Sequence, residues 1–164
     1  MPEAWTLLPE PPRPDAVGAD DLSLLATTVF LEGEGEPDEG KVAIAWTIRN
    51  RMDASRRTAR KVILGPDGLV EGDGRAYEAF SAWNDDYVRQ RTARLIAPDP
   101  VLWDRCWRAA ACALWRLQPD PTGNAVFYLN VELTRKIRQL HDLPSWYDPA
   151  RVTLRSGHHE FLTA

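Results

Sequence analysis

Leu25-Ala26-Thr27-Thr28-Val29-Phe30-Leu31-Glu32-Gly33-Glu34-Gly35-Glu36-Pro37 is the stretch that decides the architecture. Leu22, Leu25 and Val29 recur at the three-and-four spacing that places side chains on one helix face. Glu32 is the next member of that series. The pattern therefore predicts a helix over about 21–31 with one carboxylate pointing where its core-facing residues point. A carboxylate drawn out of water tends to keep its proton, which is what a general acid needs. Glu34 and Glu36 are expected beyond the helix or on its wetter side. The competing reading is a surface charge at a fraying helix end beside two glycines.

Downstream, Pro37 suits the first turn of a second helix over about 38–52, with Asp38 and Glu39 complementing its dipole. Val42, Ala45, Trp46, Ile48 and Met52 give that helix an apolar face. Residues 53–75, rich in Gly, Asp and Arg around Val62-Ile63-Leu64, read as a long loop with one short ordered piece. Phe80-Ser81-Ala82-Trp83-Asn84 follows on or beside a short helix. Trp103, Trp107, Ala110, Leu114 and Trp115 then mark a helix over about 101–117 whose aromatic stripe belongs in a core. Asp120-Pro121-Thr122-Gly123-Asn124 is dense in turn formers and leads into an extended run, Ala125 to Asn130. Arg151–Arg155, a Ser156-Gly157 turn and His158–Leu162 predict a closing hairpin. With a two-residue loop, Leu154 faces His159 and Val152 faces Phe161, so His159 turns inward while His158 and Glu160 turn out.

A chain of 164 residues fits one domain with a sizeable core. Residues 1–19, with Pro2, Pro9, Pro11, Pro12 and Pro14, read as an extended acidic leader before a single domain over 20–164. The net charge of −4 carries no nucleic-acid footprint. Neither an apolar signal segment in Met1–Asp21 nor a membrane span is expected. Cys106 and Cys112, six apart on one helix, point to different faces and read as free buried thiols, as suits synthesis in a reducing compartment. His141, His158 and His159 form no zinc-type pair at one-turn spacing, so no metal is expected. The chain has no Gly-x-Ser-x-Gly elbow, phosphate loop or dinucleotide fingerprint, and no cofactor is expected. Burial makes Cys106 a poor nucleophile. Carboxylate chemistry remains.

Leu25-Ala26, the run Leu31 to Pro37, Gly40-Lys41-Val42-Ala43-Ile44-Ala45 and Ile48-Arg49-Asn50-Arg51 together resemble the opening motif of the SleB-like cell wall hydrolases. That family comprises spore cortex-lytic enzymes and related bacterial and phage lysins. Phe80 to Asn84 resembles its second motif, and Asp120 to Ala125 with Tyr128 and Asn130 its third. Gly157-His158-His159-Glu160-Phe161 is similar to its closing Gly-x-His-x-Phe. The four blocks keep the family's order over about 22–162. Gly33-Glu34 in place of Ala-Arg, Phe30-Leu31 in place of Tyr-Ala, and Asn124 in place of a glycine are departures. The stretches 53–75 and 85–100 do not match.

The resemblance implies a lysozyme-like α+β fold, mainly helical, with a small antiparallel β-hairpin or sheet beside a substrate groove. It implies that Glu32 is the catalytic acid and that the partner is the glycan strand of peptidoglycan, with neither nucleic acid nor membrane involved. Cleavage would fall at the β-1,4 bond between N-acetylmuramic acid and N-acetylglucosamine. A lytic transglycosylase needs one carboxylate, whereas a muramidase needs a second, from Glu34, Glu36, Asp85 or Asp86. A non-catalytic glycan-binding or virion structural module on the same fold is the remaining reading. Trp83, Tyr128 and Asn130 are the candidates for the groove, as stacking face and hydrogen-bonding groups. A core tryptophan and a capped strand end are the alternatives for them. His159 is expected as a buried residue near the site that orients Glu32. A chain made in the cytoplasm without a signal peptide would reach the wall through a holin, on a virion or by another route.

Overall fold

The computed structural model describes residues 21–64, 66–70, 76–78, 80, 99–138 and 143–164, with the backbone alone at 66–70, 76–78 and 137–138. The leader over 1–19, the stretch 81–84 with Trp83, and Asp85 and Asp86 lie outside the described residues.

Helix α1 (Asp21–Gly33) is buried on every side from Leu22 to Phe30, which makes it the central helix rather than a half-wet surface one. The hydroxyls of Thr27 and Thr28 donate to the carbonyls of Ser23 and Leu24 at 2.8 Å, so these polar atoms enter the core already paired. The expected one-face stripe is therefore too narrow. Exposure begins at Leu31 and Glu32, where the helix leaves the core.

Helix α2 (Asp38–Ser55) runs three residues past its expected end, and Pro37 takes its N-cap position rather than its first turn. Val42, Ala45 and Ile48 are fully buried against α1 and its neighbours. Helix α3 (Ala59–Ile63) is the short ordered piece expected near Val62-Ile63-Leu64, while β1 (Pro66–Val70), within the expected loop, pairs antiparallel with β2 (Ala76–Glu78) just beyond it. Helix α4 (Pro100–Leu114) opens on Asp99, whose side chain accepts from Leu102 N at 2.8 Å. Such a cap contributes about 1 kcal/mol. Phe30 meets the Trp103 ring edge-on at 6.0 Å, which seats α1 on α4. The aromatic stripe ends before Trp115, which is 49% exposed. Cys106 and Cys112 are buried and free, and burial pushes their thiols up to about 12 and about 11.

A three-stranded antiparallel sheet, order β3-β5-β4, closes one side of the helices. Its strands are β3 (Phe127–Leu129), β4 (Val152–Ser156) and β5 (His159–Leu162). Ser156 pairs with His159 and Leu154 with Phe161, so the turn is Gly157-His158, one residue later than expected. The turn needs a left-handed residue, and Gly157 supplies it at φ 56°. A bulge between Val152 and Leu154 makes Val152 pair with Leu162 rather than Phe161. Between β3 and the hairpin lies helix α5 (Val131–Arg138), which the apolar pattern did not announce. Among the described residues, no helix is long and apolar enough to cross a membrane.

Candidate active site

Three segments converge at one end of α1: the elbow between α1 and α2, strand β3, and the closing hairpin. The elbow is tight. Glu36 N donates to the Gly33 carbonyl at 3.0 Å, and a side chain at Gly33 would press on Ile44 Cδ1 at 3.1 Å. Lys41 is buried despite its charge, and its ammonium donates to the Glu36 carbonyl. This fold-back leaves Glu32 in the last turn of α1 and brings Glu36 under the hairpin.

Glu36 is not on the wetter side, as its sequence position suggested. It is 7% exposed, deeper than the partly exposed Glu32, while Glu34 is exposed. Glu36 Oε2 accepts from the His158 backbone N–H at 3.0 Å. Its Oε1 lies 3.0 Å from His158 Nδ1 and 3.2 Å from His159 Nδ1. A buried carboxylate without such partners would be strongly destabilising, and the hairpin turn provides them. Gly40 and Gly157 make the room: a Cβ on Gly40 would come within 3.1 Å of Glu36 Cβ.

Tyr128, at the centre of β3, is packed by Phe80, Phe161 and His159, whose ring stands edge-on at 5.2 Å. Burial, and next the Glu32 carboxylate, push the Tyr128 phenol well above the ordinary tyrosine range, with Arg51 opposing. Among the described residues its hydroxyl meets no neighbour at full hydrogen-bond geometry, yet Glu32 acts on it both as charge and as acceptor. Tyr128 is consequently a neutral donor beside Glu32. Arg51 donates to the Val126 carbonyl at 2.5 Å and lies over the Phe80 and Phe127 rings at 5.1 and 5.3 Å, steadying β3 from α2.

His159 faces inward, as the alternation predicted, with a side chain 10% exposed against 66% for His158. Burial draws its pKa below the usual 6.5, against the opposing pull of Glu36 and Glu32. Its imidazole is neutral near pH 7. Asn130 caps α5 by accepting from Leu133 N at 2.9 Å, the capped strand end weighed as its alternative. The Asp120 turn is structural in its bonding. Asp120 accepts from Thr122 N, Thr122 Oγ1, Asn124 N and Asn50 Nδ2 at 2.7–2.9 Å. Glu32, Tyr128 and His159 thus form one cluster, with Asn130 just beyond it on the strand's exit. Lys41 and Arg51 were missed, and Glu36, weighed only as a second carboxylate, was not expected to be buried; Gly40 and the Gly157-His158 turn are the local signals that something must fit beside them.

One partly exposed carboxylate bordered by a neutral phenol and a neutral imidazole can give up a proton and take one back. Among the described residues, no group of three or more His, Cys, Asp or Glu could hold a metal ion.

Residues 35–162 match the family model described as Cell Wall Hydrolase. The match takes in Glu36, Tyr128, Asn130 and His159 and begins just after Glu32. The chain is 32% identical over 119 residues to a spore cortex-lytic enzyme of Oceanobacillus iheyensis, covering 71% of this chain and 35% of that one. A spore cortex-lytic enzyme of Bacillus cereus is 29% identical over the same share of this chain and 37% of its own. The chain therefore spans little more than a third of the length of these relatives. The solved catalytic domain of the germination-specific lytic transglycosylase SleB from Bacillus anthracis superposes with a TM-score of 0.50 at 22% identity. That superposition covers 92% of this chain and 100% of the other, and it establishes the lysozyme-like, mainly helical fold.

Proposed function

This chain belongs to the cell wall hydrolase family, and from that premise we propose that it cleaves the glycan strands of peptidoglycan. The bond cut is the β-1,4 linkage between N-acetylmuramic acid and N-acetylglucosamine, and Glu32 is the general acid. Protonated Glu32 gives its proton to the glycosidic oxygen as that bond breaks through an oxocarbenium-like state. The carboxylate so formed takes the proton of the muramic C6 hydroxyl, whose oxygen closes onto C1 as a 1,6-anhydro ring. No water is consumed.

The observation that carries this reading is the convergence of partly exposed Glu32, in the last turn of α1, on the buried Tyr128 hydroxyl and the His159 ring packed against it. A neutral phenol there steadies the carboxylate between its two proton transfers, with His159 holding the ring. The one-acid path is also supported by Glu36, whose two oxygens are already engaged by the backbone N–H and the ring Nδ1 of His158. Asn130 and Trp83 are proposed to bind the sugar, by hydrogen bonding and by stacking. Residues 20–164 are the proposed catalytic unit, reaching the wall through a holin or on a virion. Lysis by the expressed chain only when a holin is co-expressed would support the first route.

Digestion of purified sacculi by wild type and Glu32→Gln, with mass spectrometry of the soluble products, tests the chemistry. Anhydro-muramic ends, one water lighter and made by wild type alone, are expected. Reducing ends would replace the proposal with a muramidase. Release by neither protein would leave a glycan-binding module, and equal release by both would remove Glu32 from the chemistry.

A further inference from the structure

A cavity of about 450 Å³ opens between α5 and the tip of the closing hairpin; it shares Asn130 and His159 with the proposed sugar site, and its other lining residues have no part in the proposed cleavage. That volume is in the range of small-ligand pockets, roughly 300–1,000 Å³, and suits a substituent better than a polymer strand. Asn130, Arg135 and Lys136 form one wall, and Arg155, His158 and His159 the other. His159 is shared: its ring also packs edge-on against Tyr128 at 5.2 Å. The cavity therefore begins where the proposed sugar site ends.

Its charges do not cancel. Lys136 pairs with Glu132 at 2.5 Å, and Arg155 pairs with Glu160 at 2.9 Å. Glu160 also accepts from the Tyr147 hydroxyl at 2.6 Å, so both of the cavity's acids are engaged. Arg135 has no carboxylate within ion-pair distance among the described residues. Its charge acts at longer range on Glu160 and Tyr147. One guanidinium is left facing a concave space, a geometry that favours a carboxylate over a neutral sugar.

We propose that this cavity takes a carboxylate-bearing peptide branching from the glycan strand, with Arg135 as its counter-charge. The inference rests on the peptidoglycan reading above, in which muramic residues carry short acidic peptides. It makes the protein selective for strands that still hold their stem peptides.

The test compares intact sacculi with sacculi stripped of stem peptides by an amidase. Cleavage and sedimentation binding are measured for wild type, Arg135→Gln, and Arg60→Gln on α3 as a surface-charge control. Wild type and Arg60→Gln should favour peptide-bearing strands by about fivefold, the factor one exposed charge-assisted contact supplies. Arg135→Gln should lose that preference while handling stripped glycan as wild type does. No preference in wild type, or a preference that survives Arg135→Gln, overturns the proposal. Arg135-dependent binding without cleavage of either substrate keeps the cavity's role and removes the enzymatic reading instead.

Discussion

A methyl group on Gly157 would stand 1.7 Å from Glu36 Oε2, so the hairpin turn and the buried carboxylate share one space. Position 157 must lack a side chain for two kinds of reason: its φ of 56° and its neighbours, Glu36 and Pro37 Cδ. The two can be separated experimentally. Gly157→Ala should lower unfolding free energy by about 3 kcal/mol, the sum of left-handed backbone strain and displacement of a buried, paired acid. In a Glu36→Ala background the backbone strain, about 1–2 kcal/mol, and the approach to Pro37 Cδ at 2.8 Å remain, so the loss should be smaller. Denaturant titration of the four proteins measures the coupling. Equal losses in both backgrounds would mean the two positions are independent.

Tyr128→Phe keeps the ring that packs on Phe80, His159 and Phe161 and removes only the hydroxyl beside Glu32. Turnover of sacculi should drop by about tenfold or more, as loss of a hydrogen bond to a charged group implies. KM and the thermal midpoint should change little. A variant as active as wild type would remove Tyr128 from the proposed proton transfers.

His159 sets a pH limit on stability. Its folded pKa lies below the ordinary 6.5, because burial outweighs Glu36 and Glu32, so the folded chain binds fewer protons than the unfolded one. The stability it contributes is complete above 6.5 and is lost as pH falls through the lowered folded value. Thermal midpoints measured from about pH 8 to about pH 5 should therefore decline on the acid side, and His159→Gln should flatten that decline. The carboxylates of Asp120 and Glu160 titrate lower, below 3.8 and 4.5, which separates their loss from that of His159.

Asp120 should behave as the opposite of Glu32. Burial alone would raise its pKa, but donors from Thr122, Asn50 and Asn124 outweigh burial and hold the carboxyl below the usual 3.8. Asp120→Ala should destabilise by about 1–2 kcal/mol, allowing for its partial exposure, with rate per folded molecule nearly unchanged. Urea unfolding alongside active-fraction kinetics distinguishes this from a role in chemistry, which would lower the rate at full folding.

The parts legible in the sequence were those governed by spacing along one element. Leu22, Leu25 and Val29 announced α1, and Trp103 and Trp107 announced α4, because helical periodicity needs no knowledge of the rest of the chain. The inward His159 followed from strand alternation even though the turn slipped by one residue. Helix α5 escaped because Val131-Glu132-Leu133-Thr134-Arg135-Lys136 is largely polar and its described side chains lie at the surface. The burial of Glu36 escaped for a different reason: its partner in the hairpin turn lies 122 residues away, and only the closed fold shows that a turn covers it.

That separation also orders events in time. The Glu36-binding amide of His158 and the ring that supports Tyr128 both belong to the hairpin tip and β5. A nascent chain that has left the ribosome only as far as β4 already holds α1 with Glu32, yet its elbow is uncovered and Tyr128 lacks its edge-on neighbour. The constellation is complete only when β5 is in place. A fragment that stops short of β5 therefore holds Glu32 without the neighbours that complete the cluster.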